Sequence, residues 1–148
     1  MQECLLAYVQ IWNFCHYGIG FYVVTVANCL VDVLAYSAYT KCDPRRHYGW
    51  VKLNTVAVWQ ASWCGNFSNI RGVTILQIDP FTCMKEESRN FDTHDSSAAT
   101  RQLSTYLEQV NETSVVVGVT ADEPVNKLFG AFPTLEQFGV DVADVHLR

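Results

Sequence analysis

The chain has 148 residues, 49% hydrophobic, 13% aromatic and 17% charged, with six cysteines, four tryptophans and a formal net charge of −5. A single domain of this length buries roughly 68–70% of the surface its unfolded form exposes, so its core requires neither metal nor cross-links. The ten Lys and Arg residues are scattered without a basic stripe, which excludes a nucleic-acid binder, and the apolar content excludes an unfolded chain.

From Cys4 to Phe14 an apolar, aromatic and β-branched run predicts a strand, punctuated by His16-Tyr17-Gly18 and Gly20. Phe21 to Val26 and Leu30 to Tyr36 read as two further strands. They lie within Ile19 to Tyr39, a stretch near membrane-span length whose single charge is Asp32. Asn28, Cys29, Asp32 and Ser37 interrupt it, and its Val, Tyr, Phe and Thr content is that of buried strands, so no membrane insertion is expected. The charged stretch Lys41 to Gly49, with Pro44, reads as a loop. It divides a cysteine-rich β layer, residues 1–48, from a module over residues 50–148 of the same domain.

Trp50 to Trp63 alternates through Val51, Leu53, Val56 and Val58 and predicts one or two strands before a Cys64-Gly65-Asn66 turn. Val73 to Ile78, introduced by Arg71-Gly72, is a strand ended by Asp79-Pro80, and Met84 to Phe91 is its hairpin return. Between Asp95 and Val110 the period changes to that of a helix. Ala98, Leu103, Tyr106, Leu107 and Val110 form its apolar face, Arg101, Gln102, Thr105 and Glu108 face water, and Asp95 or Ser96 is the N-cap. Ser114 to Thr120 is an apolar strand of the kind buried on both faces. Pro124 opens a short helix through Lys127, Leu128 and Phe129, Pro133 opens another closed by Gly139, and Val140 to Leu147 alternates as a last strand. The expected fold is α+β and β-rich: a two-layer β-sandwich flanked by about three short helices and stabilised by disulfides.

Cys4, Cys15, Cys29, Cys42, Cys64 and Cys83 lack the short spacing that closes a structural zinc site. Their even number, confined to the first 83 residues, suits a disulfide framework in the N-terminal half, with 15 pairings open. Asn66-Phe67-Ser68 and Asn111-Glu112-Thr113 are N-glycosylation sequons, so a secreted glycoprotein is expected. Met1-Gln2-Glu3 runs into strand-like sequence instead of a basic and apolar leader, so Met1 reads as a start placed on a mature chain.

No phosphate loop, nucleophile elbow or His-Glu-x-x-His pair is present, and no enzymatic activity is expected. His16, His47, His94 and His146 are far apart in sequence. Adjacent Asp122 and Glu123 point opposite ways on extended chain, which disqualifies them alone as a glycosidase pair. Glu86, Glu87, Asp92, Asp95, Asp122 and Glu123 could supply hard oxygens to calcium, which stays open as a cofactor without EF-hand spacing; capping and solvation account for Asp92 and Asp95 more simply. Trp12, Trp50, Trp59 and Trp63, with Tyr8, Tyr17, Tyr48 and Phe67, offer flat apolar faces for a sugar, core packing being the ordinary use of such rings. Trp63 and Phe67 flank the Cys-Gly-Asn turn that leads to Arg71 and are the aromatic candidates.

Arg71-Gly72-Val73-Thr74-Ile75-Leu76-Gln77-Ile78, Phe91-Asp92-Thr93, the helix with Leu103 and Tyr106-Leu107, Val115 to Asp122-Glu123, and Phe138-Gly139 follow in order. Over about residues 67–148 this resembles the PANDER-like module, also called the interleukin-like EMT-inducer domain. The resemblance implies a secreted or lumenal β-β-α sandwich with disulfides and without enzymatic activity. Such modules occur in cytokine-like secreted proteins, in hyaluronan-degrading cell-surface proteins, and in the sugar-binding stem domain of an O-mannose N-acetylglucosaminyltransferase. The stem domain's sugar-holding roles fall here on Arg71, Asp122 and Arg148, with Glu123 completing the acid pair and Phe67 as apolar wall. Set against the resemblance, the sequence reads as a module without the family's C-terminal extension and with the first 48 residues added, and an edge completed by those strands is expected. A galactose-binding lectin is the leading expectation: a ring takes the apolar sugar face, Asp122 accepts from hydroxyls, and Arg71 or Arg148 donates. Shallow sites gain avidity by duplication, so a homodimer with galactose-containing glycans as partners is expected. The alternative is a cytokine-like signalling ligand in which the acid pair caps a helix.

Overall fold

The computed structural model describes residues 10–13, 19–36, 47–62, 71–120, 125–140 and 142. In chain order these form β1 (Gln10–Asn13), β2 (Ile19–Val26), β3 (Cys29–Tyr36), β4 (His47–Leu53), β5 (Val56–Ser62), β6 (Val73–Asp79), β7 (Met84–Phe91), α1 (Ser97–Glu108), β8 (Val115–Thr120) and α2 (Val125–Leu128). A 3₁₀ turn (Phe129–Ala131) and α3 (Phe132–Gln137) follow.

One sheet is the antiparallel meander β2-β3-β4-β5. The stretch of near membrane-span length is therefore, over its described residues 19–36, a hairpin turned at Ala27-Asn28, and Asp32 is half-buried, accepting a hydrogen bond from Trp50 Nε1 at 3.4 Å. The predicted loop to Gly49 ends earlier, because His47–Gly49 belong to β4. Gly49 is buried between Ala35 and Ala61 where the ladder shifts register, so it marks a bulge inside a strand, not a loop. This sheet reaches from Ile19 to Ser62, across the expected boundary near residue 49.

The other sheet has the order β1-β8-β6-β7. β1 runs parallel to β8, so the first strand joins the C-terminal module's sheet and not the added layer. The β6 and β8 strands are covered on both sides. Leu76, Ile78, Val115, Val117 and Val119 meet Val31, Val33, Val51 and Leu53 of the meander in one core. Val73, Ile75 and Val116 meet Leu103, Leu107, Leu128 and Leu135 of the helices in another. The result is the α+β sandwich with flanking helices. A Cys29–Cys83 disulfide ties the start of β3 to the β6–β7 turn and thus one sheet to the other. The remaining four cysteines lie outside the described residues.

On α1 the buried face is Thr100, Leu103, Tyr106 and Leu107, and Ala98 is exposed. Ala98 stands five residues before Leu103 and so falls off the i, i+3, i+4 stripe, whereas Thr100 falls on it. The buried Thr100 Oγ1 donates to Lys127 O at 3.0 Å and Ser96 O at 3.3 Å, so its burial leaves no unsatisfied hydroxyl. At the end of α3, Gly139 takes φ +75°, its N–H meets Glu136 O at 2.9 Å, and the Val140 N–H meets Leu135 O at 3.1 Å. This Schellman turn folds Val140 into the helix-side core, so Val140 and Val142 are loop and turn, not the start of a last strand. Residues 143–148 lie outside the described residues.

Candidate functional site

Two short motifs twenty residues apart form one junction. Gly72 takes φ +92°, and a Cβ placed on it would stand 2.1 Å from Phe91 O and 2.6 Å from Thr93 N. The chain entering β6 therefore crosses the end of β7 backbone to backbone, an approach open only to glycine. That crossing sets Arg71 beside Asp92. Arg71 Nε donates to Asp92 Oδ1 at 3.2 Å and Nη2 to Asp92 Oδ2 at 2.8 Å, a bidentate pair, and Nη2 also meets Asp95.

The acids are placed by the start of α1. Ser96, in extended conformation, is the N-cap, and its Oγ accepts from Ala99 N at 3.1 Å. This resolves the sequence choice between Asp95 and Ser96 and frees the Asp95 carboxylate for Arg71. Asp92 Oδ1 in turn accepts from Asp95 N at 3.2 Å, which tightens the turn. His94 Nε2 lies 3.6 Å from Asp95 Oδ1. The Arg71 hydrogen bonds hold the Asp92 carboxyl below the usual carboxylate range against the opposing effect of burial, and Asp92 raises the Arg71 guanidinium further. Arg71 is 27% exposed, and its Nη1 has no hydrogen bond among the described residues.

Arg71 is the one predicted carbohydrate residue within the described part. Trp63, Phe67, Asp122, Glu123 and Arg148 lie outside it, as does Asn66. Asn111 sits in an exposed turn, with its Oδ1 accepting from Thr113 N at 3.0 Å and Thr113 Oγ1 at 2.9 Å, so this sequon is open to solvent. Of the six acids weighed for calcium, the four described ones are individually engaged: Asp92 and Asp95 share a guanidinium, Glu86 accepts from Ser114 Oγ at 2.8 Å, and Glu87 lies 3.5 Å from Arg89; Asp122 and Glu123 lie outside the described residues. Among the described residues no three His, Cys, Asp or Glu side chains gather as a metal cluster. Trp50 is half-buried, with Lys52 Nζ 4.3 Å from its ring centroid, so one ring face is occupied. Among the described residues no helix is long and apolar enough to cross a membrane.

That Asp92 and Asp95 are partners of Arg71 escaped the sequence reading, which weighed them as calcium oxygens and as capping or solvated acids. The joint presence of Arg-Gly and Phe-Asp-Thr was the available signal. No curated protein and no solved structure shows a significant match to the chain. The family model described as interleukin-like EMT inducer matches residues 71–145, half of the chain, opening on Arg71 and running through the junction, α1, β8 and the C-terminal helices. The chain therefore belongs to the interleukin-like EMT inducer family.

Proposed function

We propose that the protein is a secreted, non-catalytic carbohydrate-binding protein that recognises terminal galactose or β-galactosides. The observation that carries this reading is the clasped Arg71. Asp92 and Asp95 hold the guanidinium through Nε and Nη2, while Nη1 keeps its donors at a partly exposed surface. A fixed planar donor beside carboxylates is what paired sugar hydroxyls bind. Asp122, Glu123 and Arg148 would complete the polar set, and Phe67 and Trp63 would take the apolar sugar face. The disulfide and the solvent-open Asn111 sequon support an extracellular setting. Such a site is weak alone, so the active species would be a homodimer, readable by sedimentation at tens of micromolar.

A glycan array run with and without EDTA tests this. Binding to galactosides, lost in Asp122→Ala without loss of folding, is the expected result; silence across the array overturns it. Retained affinity in that variant removes Asp122 from the site, and loss in EDTA assigns calcium a part. Family membership favours a second reading, a cytokine-like secreted ligand, which an array-silent protein that binds a cell-surface receptor would establish.

A further inference from the structure

Along the outer edge of the β1-β8-β6-β7 sheet, a groove of about 590 Å³ lies between the edge strand β7 and α1. This volume is within the roughly 300–1,000 Å³ of small-ligand pockets. Tyr106 and Phe91 form its floor, with ring centroids 5.4 Å apart. Arg89 of β7 lies over the Tyr106 ring, its guanidinium carbon 5.0 Å from the centroid. Facing it, α1 contributes Arg101, Gln102 and Thr105 and its C-cap contributes Gln109, while Ala98, one turn before Gln102, leaves the end open with a methyl group.

The lining has a sign. Its charged lining side chains are Arg89 and Arg101, and the Glu87 carboxylate, which meets the Tyr106 hydroxyl and Arg89, stands outside the lining, although the chain carries a net charge of −5. Arg101 has no ion pair among the described residues, and Arg89 meets Glu87 at 3.5 Å in a contact exposed on both sides, which a competing anion displaces readily. Neutral hydrogen-bonding groups, the Gln102 and Gln109 amides and the Thr105 hydroxyl, outnumber the charges in the α1 wall. A ligand with one anionic group set among hydroxyls matches both features. A peptide matches less well: it would dock by adding to the edge of β7 that no other described strand pairs, where Lys85, Glu86, Glu87 and Arg89 discourage strand addition.

We infer that this β7–α1 groove is a binding site for an acidic saccharide, its carboxylate or sulfate held by Arg89 and Arg101 and its hydroxyls by Gln102, Thr105 and Gln109. The inference does not use Arg71 and stands apart from the galactose reading. It is tested on the full chain by NMR titration with glucuronic acid, galactose 6-sulfate, galactose and inorganic sulfate. The expected result is that at least one acidic sugar shifts the Gln102 and Gln109 side-chain amides, and which of the two does so identifies the anionic group. Arg101→Gln and Arg89→Gln, both at exposed positions, should each weaken that binding about ten-fold, and added salt should weaken it in the wild type. The inference is overturned if galactose shifts the same amides with equal affinity or if inorganic sulfate binds as tightly as the acidic sugars. Undiminished binding in Arg101→Gln, or displacement of the acidic sugar by a phosphotyrosine peptide at lower concentration, overturns it as well. Arg71→Gln should leave this titration unchanged while removing galactoside binding, so each site can fail without the other.

Discussion

Gly72→Ala tests the junction between the Arg-Gly and Phe-Asp-Thr segments most sharply. The new methyl would stand 2.1 Å from Phe91 O, 2.6 Å from Thr93 N and 3.0 Å from Asp92 Cα, and all three are backbone atoms with no rotamer to change. At φ +92° the alanine also sits where L-residues are disfavoured, which costs about 1–2 kcal/mol. Forcing strand ends apart to admit the methyl adds about 1–3 kcal/mol, as overpacking does in cores. The combined loss of about 2–5 kcal/mol is a large part of the roughly 5–15 kcal/mol that holds an ordinary domain together. Urea denaturation at neutral pH measures it, the midpoint falling with the slope unchanged, and a melting temperature lower by about 4–20 °C should accompany it. A loss below about 1 kcal/mol would refute the reasoning, since it would mean that β6 enters without crossing β7 at contact distance.

Replacing Cys29 and Cys83 together by serine releases a 54-residue separation in the unfolded chain and should cost about 2–4 kcal/mol, seen in urea denaturation under non-reducing conditions; an unchanged melt would show that the sheets hold each other without the bond. Asp92 has its carboxyl pKa lowered in the fold, so its contribution is present above the ordinary carboxylate range and is lost as pH falls through and below about 4. Asp92→Asn should flatten that acid limb in a pH series of melts, and an unaltered limb would assign it to other acids. Tyr106, 7% exposed, has its hydroxyl pKa raised by burial, so stability holds below about pH 10 and falls as pH rises beyond it. Tyr106→Phe should remove this alkaline limb and cost about 1 kcal/mol at neutral pH, because Gln77 Nε2 loses its 2.7 Å acceptor; a phenylalanine variant that still loses stability above pH 10 would contradict it.

The parts of the fold legible in the sequence are those where pattern and burial coincide. β6 and β8 read correctly because Val73 to Ile78 and Val115 to Val119 are apolar on both faces and both faces are covered. The β4–β5 hairpin was harder to resolve because its turn, Asn54-Thr55, lacks glycine and reaches φ 46° and 75° instead with side-chain help: Asn54 Oδ1 accepts from Leu30 N at 2.9 Å. Conversely Gly49, which reads as a loop signal, is a buried strand residue. The cysteine count announced cross-linking, but that Cys29 would meet Cys83 across two sheets depends on the β6–β7 turn reaching β3, a long-range fact that no local pattern carries. At the site, Arg71 was legible through the family motif. Its partners were not, since contact between residues 71, 92 and 95 follows from the crossing at Gly72. The groove stayed hidden for a related reason: Ala98 looks like core until the register of α1 turns it outward.

The junction also bears on what the family motif means. Gly72 and the Arg71–Asp92 pair both have a purely structural task, so the recurrence of Arg-Gly with Phe-Asp-Thr does not by itself require a sugar. A sugar-binding task, as proposed, would use a different nitrogen of Arg71: Nε and Nη2 face the acids, and Nη1 has no hydrogen bond among the described residues. Lysine cannot divide itself this way, because its single ammonium can meet Asp92 or a ligand but has no rigid fork to serve both. Arg71→Lys should therefore keep the fold within about 1 kcal/mol of the wild type, as a partly exposed ion pair is retained, while galactoside affinity falls at least about ten-fold. Urea denaturation and glycan titration on the same sample read the two effects separately. Undiminished affinity would show that Arg71 serves the fold alone, and recognition would then have to rest on other residues of the surface.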